Sequence, residues 1–221
     1  MTALTTVDLK YGYDKKTLVL KKINIAMETG KMYAILGPSG CGKTTLLSLL
    51  GGLDAPTGGQ ILYQDEDIAK TGLANHRKNH VAFIFQGYNL IDYMTPIENV
   101  NLTTKLPAFP ILERLGLTKE EAKRTILKLS GGQQQRVAIA RALASEAAII
   151  LADEPTGNLD EDTAKEITSI LKESAHKLNK CVVVVTHSND IAKQADVVLR
   201  LKRGEVQILE RPSQDTRKSE K

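Results

Sequence analysis

"MYAILGPSGCGKTTLLSLL", Met32 to Leu50, passes from a short apolar run through a turn holding three glycines into a stretch of helical character. Strand, loop and helix in that order frame a pattern that Gly37 to Thr44 match: Gly, four residues, Gly, Lys, then Ser or Thr. The chemistry explains the residue types. Glycines let backbone N–H groups turn inward around phosphate oxygens, the following helix presents its positive end, and Lys43 brings a point charge to the β- and γ-phosphates. The Thr44 hydroxyl suits Mg²⁺. Pro38, Ser39, Gly40, Cys41, Gly42 and Thr45 complete the nucleotide-binding candidates of this loop. The small side chain of Cys41 is tolerated there, and no metal or redox role is assigned to it.

Working outward, two further apolar runs, Ile149 to Ala152 and Val182 to Val185, are continuous rather than alternating, as in parallel strands buried on both faces. Between them Ala164, Ile167, Ile170, Leu171, Ala175 and Leu178 recur at helical spacing, which predicts a right-handed crossover. The first thirty residues alternate short apolar stretches, Leu18 to Leu20 and Ile23 to Met27 among them, with Gly and Asp turns, which reads as antiparallel strands. From residue 92 the pattern changes. Pro96, Pro107 and Pro110 break its early part, and helical patterns follow at Ile111, Leu112 and Leu115 and at Ala122, Ile126 and Leu129, with Thr118 and Glu121 placed for a capping box. The expected architecture is α/β: a phosphate-loop core with a mostly parallel sheet, an N-terminal antiparallel β subdomain and a small helical subdomain, roughly 92–145, within one domain over residues 1–209. The tail 210–221 holds nothing large and apolar from Glu210 onward in its polar stretch and is expected to be disordered.

Bulk properties narrow the function classes. A chain of 221 residues, 42% hydrophobic, can bury one sizeable core. The net charge of +4 comes from 30 basic and 26 acidic residues spread along the chain, without the concentrated basic face of a nucleic-acid binder. Two cysteines make no disulfide framework, no export signal opens the chain, and no apolar run approaches the ~20 residues that cross a bilayer. A cytoplasmic protein that reaches a membrane only through a partner is expected.

A phosphate loop needs a metal-holding carboxylate at the end of a neighbouring strand, and "AIILADE", Ala148 to Glu154, supplies Asp153 for Mg²⁺. Glu154, one position later, is placed to polarise a water for attack on the γ-phosphate. "LSGGQ", Leu129 to Gln133, sets Ser130, Gly131 and Gly132 at a helix mouth, which by itself reads most simply as a loop ending at a helix start. His76, His80 and His176 find no place in this scheme and read as surface or helix polar residues.

Together these segments resemble the nucleotide-binding subunits of ATP-binding cassette transporters, over roughly residues 4–209. In that family Leu129, Ser130, Gly131, Gly132 and Gln133 would form the signature that receives the γ-phosphate of ATP held by a second copy of the chain. The resemblance also implies that Gln86 contacts Mg²⁺ or the attacking water and senses a membrane partner. Asn158, Leu159 and Asp160 of "GNLD" would cross the dimer interface, and His187 would contact the γ-phosphate. Tyr11 would stack on adenine, with Tyr13 as the alternative. The implied catalytic set is Lys43, Glu154 and His187, with ATP and Mg²⁺ bound, and metal contacts from Thr44, Gln86 and Asp153. The implied partners are a second copy and integral membrane permease subunits, with no nucleic acid, at the cytoplasmic face of the membrane. "GGLDAPTGGQI", "FQGYNL", "TPIENV" and "LSGGQQQRVAIARAL" look most like the branch serving macrolide export, lipoprotein release and antimicrobial-peptide resistance, although Asn101 to Leu129 is shorter than that branch implies. An ATP-gated regulator of a membrane-anchored partner, moving no substrate, is the alternative reading.

Overall fold

A computed structural model of the chain describes residues 1–14 and 17–209, so the expected disordered tail lies outside the described residues. In chain order the elements are β1 (Thr2–Tyr11), β2 (Leu20–Glu28), β3 (Met32–Leu36), α1 (Lys43–Leu50), β4 (Gly58–Tyr63), β5 (Glu66–Asp67), α2 (Ile68–Thr71), α3 (Leu73–Asn79) and β6 (Val81–Ile84). There follow α4 (Pro96–Asn101), α5 (Phe109–Arg114), α6 (Gly131–Ala144), β7 (Ile149–Asp153), α7 (Glu161–Leu178), β8 (Cys181–Val185), α8 (Asn189–Gln194), β9 (Val197–Lys202) and β10 (Glu205–Leu209). One antiparallel sheet runs β2-β1-β4-β5; a second, mostly parallel, runs β10-β9-β3-β8-β7-β6. The α/β reading with an antiparallel subdomain is what the chain adopts.

Side-chain alternation along the parallel strands divides the core in two. On β8, Val182 and Val184 face a cluster with Ile139 of α6 and Leu171 of α7, whereas Val183 and Val185 face Leu46 and Leu50 of α1 together with Leu4 and Ile25 of the antiparallel sheet. Both faces of the sheet are therefore covered, which is why β7 and β8 read as unbroken apolar runs. The β3 strand stands in the middle, parallel to β9 on one side and β8 on the other. Consequently β7, which carries Asp153, is not the neighbour of the phosphate-loop strand that the sequence led us to expect. The β8 strand lies between them and brings His187 in between as well.

Around residues 92–145 two of the three prolines, Pro96 and Pro110, act as starters. Pro96 opens α4 behind a Thr95–Glu98 capping box, and Pro110 sits in the first turn of α5, where a missing N–H costs nothing. The second expected helix is instead two short 3₁₀ turns, Glu121–Lys123 and Ile126–Lys128, because Arg124 and Thr125 between them are extended. Ala122, Ile126 and Leu129 are buried, so their spacing reported contact with the core.

Of the surface and helix readings of His76, the helix one holds: it lies on α3 and is wholly buried. Its Nε2 lies 3.1 Å from the Leu50 carbonyl and its Nδ1 3.3 Å from His80 Nδ1, while Tyr63 stacks on His80 at 4.0 Å. That arrangement ties α3 to the end of α1. Gly51, in the turn that leaves α1, has no room for a side chain, for a Cβ there would stand 1.9 Å from Phe83 Cζ.

Candidate nucleotide site

The phosphate loop runs from β3 into α1. Gly40 and Gly42 take φ of +74° and +101°, the left-handed region open to glycine, and a Cβ on Gly37 would lie 2.4 Å from the Leu201 carbonyl. No side chain caps α1, so its first N–H groups are left for an incoming anion. Lys43 is buried at 8% exposure and its Nζ donates to the Gly37 and Pro38 carbonyls at 2.8 and 3.1 Å, which folds the ammonium over the loop it belongs to. Pro38, Ser39, Gly40 and Thr44 are exposed, and Cys41 and Thr45 half-buried.

Beside the loop, a cavity of about 270 Å³ is lined by Tyr11, Tyr13, Thr44, Thr45, Leu53 and Asp54 among others. The two tyrosines play different parts in it. Tyr11 is buried at 7% exposure and donates its hydroxyl to Asp54, whose carboxylate pushes the phenol up to about 12. Tyr13 is exposed, meets Tyr11 edge-to-face at 5.2 Å, and its hydroxyl lies 3.0 Å from Thr45 Oγ1. The more accessible ring face is Tyr13's.

Asp153 ends β7, Glu154 follows it, and both are buried. Glu154 holds a φ of +48°, left-handed for a residue with a full side chain, and its N–H donates to the Val185 carbonyl at 2.9 Å. Such a conformation costs about 1–3 kcal/mol and persists only where the surroundings impose it. His187, exposed after β8, brings Nδ1 to 3.0 Å from Glu154 Oε1. Burial raises the Glu154 pKa, and the nearby His187 offsets part of the rise. A buried carboxylate whose affinity for protons is raised, close enough to Lys43 to feel its charge, is suited to accept a proton or orient a water.

The signature residues open α6. Ser130 is its N-cap: the hydroxyl accepts from the Gln133 N–H at 3.3 Å, while Gln133 Oε1 accepts from the Ser130 N–H at 2.8 Å, closing a capping box. Gln133 Nε2 also donates to Glu121 Oε1 at 2.6 Å. Leu129 is buried beneath, while Ser130 and Gly131 stay exposed. Gln86 is exposed just beyond β6. In the "GNLD" loop Asn158 and Asp160 are exposed and Leu159 half-buried, and Asp160 caps α7 by accepting from the Thr163 N–H at 3.0 Å. Sequence reasoning passed over Tyr88 and Arg141, which join these segments and whose only signal was their place beside the motifs.

The residues present fit the groups the fold implies. Thr44 and Asp153 are hard oxygen donors, the kind Mg²⁺ takes alongside water and phosphate oxygens, and among the described residues no cluster of three His, Cys, Asp or Glu forms a self-sufficient metal cage. Fold and site together define a phosphate-loop nucleoside triphosphatase of the cassette type. The comparisons with known proteins name the family: its ABC transporter model matches residues 20–157, and the chain belongs to it as an ATP-hydrolysing domain. It is 45% identical to the uncharacterized ABC transporter ATP-binding protein YclH of Bacillus subtilis, over 95% of this chain and 98% of that protein. It is 42% identical to the macrolide export ATP-binding/permease protein MacB of Pasteurella multocida, over 92% of this chain but 33% of that longer protein. Among solved structures, the dimeric post-hydrolysis state of the ATP-binding cassette MJ0796 of Methanocaldococcus jannaschii, bound to ADP and Pi, superposes with a TM-score of 0.83 at 35% identity, covering 92% of this chain and 96% of that one. No helix among the described residues is long and apolar enough to cross a membrane.

Proposed function

We propose that two copies of this chain close head-to-tail on ATP, each triphosphate held between Lys43 of one copy and Ser130 of the other. Opening after hydrolysis then drives separate transmembrane subunits that export or extract a peptide, a lipoprotein or a drug. The observation that carries the reading is Glu154: a buried carboxylate directly after Asp153, its pKa raised by burial, with His187 Nδ1 3.0 Å away. Glu154 orients the water or takes its proton, His187 steadies the γ-phosphate, and Lys43 with the open end of α1 stabilises charge developing on the transferred group. Mg²⁺, held by Thr44 and Asp153 with Gln86 beside it, would neutralise charge shared between the phosphates. Tyr13, backed by Tyr11, offers its face to the adenine.

Closure favours ATP because only the triphosphate reaches both surfaces, so the differential contact lies in the γ-phosphate. The exposed Ser130 and Gly131 at the start of α6 support a phosphate arriving from another copy, and the dimer formed by the MJ0796 cassette is consistent with it. A cavity of about 400 Å³ lined by Arg77, Phe83, Phe85, Leu102 and Arg141 among others adjoins Gln86 in the chain, and would seat the segment of a membrane subunit that receives the motion. MacB, which carries export permease and ATP-binding parts in one protein, supports the direction of transport.

Glu154→Gln is expected to keep ATP binding, abolish turnover and accumulate dimers in ATP; gel filtration showing only monomer at saturating ATP contradicts the reading. Lys43→Ala is expected to weaken nucleotide affinity at least tenfold, about 1.4 kcal/mol. Titration calorimetry giving an unchanged affinity would remove Lys43 from the site.

A further inference from the structure

One side chain, Tyr88, meets both the signature and the "GNLD" loop. Tyr88 stands two residues after Gln86. It and Asn89 are consecutive left-handed residues, φ +61° and +50°, an uncommon state for side chains of this size. Arg141 of α6 holds them there, donating from Nη2 to the Tyr88 carbonyl at 3.1 Å and from Nη1 to the Asn89 carbonyl at 2.6 Å. The Tyr88 hydroxyl accepts a hydrogen bond from Asn158 Nδ2 at 2.9 Å, and it stands 3.1 Å from where a Cβ on Gly131 would be. One residue on, a Cβ on Gly132 would meet Leu159 Cδ2 at 3.4 Å. The backbone of Tyr88 is thus pinned to the signature helix, and its hydroxyl to the interface loop and the first signature glycine.

We propose that Tyr88 is a positioning residue that couples the two nucleotide sites of the dimer. Resting on the composite site proposed above, the coupling works within one chain. Occupancy felt at Gln86 shifts the strained Tyr88–Asn89 pair, Arg141 carries the shift to α6, and the Tyr88–Asn158 hydrogen bond holds the interface loop in step. The same chain's Ser130 and Gly131 are then set for the ATP held by its partner. A side chain at 131 would press on that hydroxyl, which would have to give by a few tenths of an ångström. Tyr88 does not touch the reacting atoms, so its loss changes cooperativity rather than chemistry at a single site.

The test is Tyr88→Phe, which keeps the ring and the backbone demands and removes only the hydroxyl. Wild-type ATPase activity is expected to show a Hill coefficient for ATP near the number of sites, about 2. In Tyr88→Phe that coefficient falls toward about 1, and the ATP concentration for half-maximal dimerisation rises roughly two- to tenfold, the factor one neutral hydrogen bond supplies. ATP affinity of the isolated, monomeric chain stays unchanged. A wild-type coefficient retained in Tyr88→Phe overturns the role of Tyr88 and leaves the composite site standing. A wild-type coefficient near one, with no dimer in ATP, overturns both.

Discussion

Glu154 concentrates the residue-scale physics. Burial raises its pKa above the ordinary 4.5, so the acid limb of its pH–rate profile lies higher than a solvated glutamate would give. Activity should fall as pH drops through that raised value, and kcat/KM measured against pH checks it; a flat profile down to pH ~4.5 would deny Glu154 the base role. The sign for stability is opposite. A carboxyl that binds its proton more tightly in the fold loses stability as pH rises through the raised value, so Glu154→Gln should melt higher than wild type at neutral pH. His76 works the other way. Burial lowers its pKa from 6.5, so it contributes stability in full above that value and loses it as pH falls. His76→Gln is expected to flatten the decline in melting temperature between about pH 6.5 and 5.5, and an unchanged slope would place the titrating group elsewhere. The acidic pair was legible from the apolar run before it. The buried histidine was not, because its partner is the Leu50 carbonyl, 26 residues away, delivered only by the fold.

At the scale of elements, α6 does two jobs with one residue. Ser130 satisfies orphan N–H groups at its start and, in the proposed dimer, offers the same end to a phosphate. These roles can be separated. Ser130→Ala should cost about 1 kcal/mol in chemical denaturation without nucleotide, whereas Ser130→Asp keeps the cap but sets a negative charge against the phosphate. Aspartate should therefore restore stability and still abolish the ATP dimer; recovery of both would mean that the position only caps. Strands β3, β7 and β8 were legible because double-sided burial leaves unbroken apolar runs. The stretch from Ala122 to Leu129 misled because three buried side chains at helix-like spacing can also arise from two short turns set against a core, with extended Arg124 and Thr125 between.

Across the whole molecule, strand order escaped the sequence. Pairing between β3 and β8 joins segments more than 140 residues apart, and no local pattern records which strand slides between which. The resulting order lines up the ends of β3, β8 and β7, and with them the phosphate loop, His187 and Glu154, along one edge of the sheet. The signature opens α6 with Ser130 and Gly131 exposed, as the proposed contact with a second copy requires. The most direct test mixes two crippled chains, Lys43→Ala and Ser130→Glu, both in a Glu154→Gln background that prevents turnover. Each alone should trap no labelled ATP, because both of its composite sites are damaged. The mixed dimer rebuilds one site from Lys43 of one chain and Ser130 of the other, and should trap one ATP for every two chains. A mixture that traps no more than its separate components would contradict a site shared between copies.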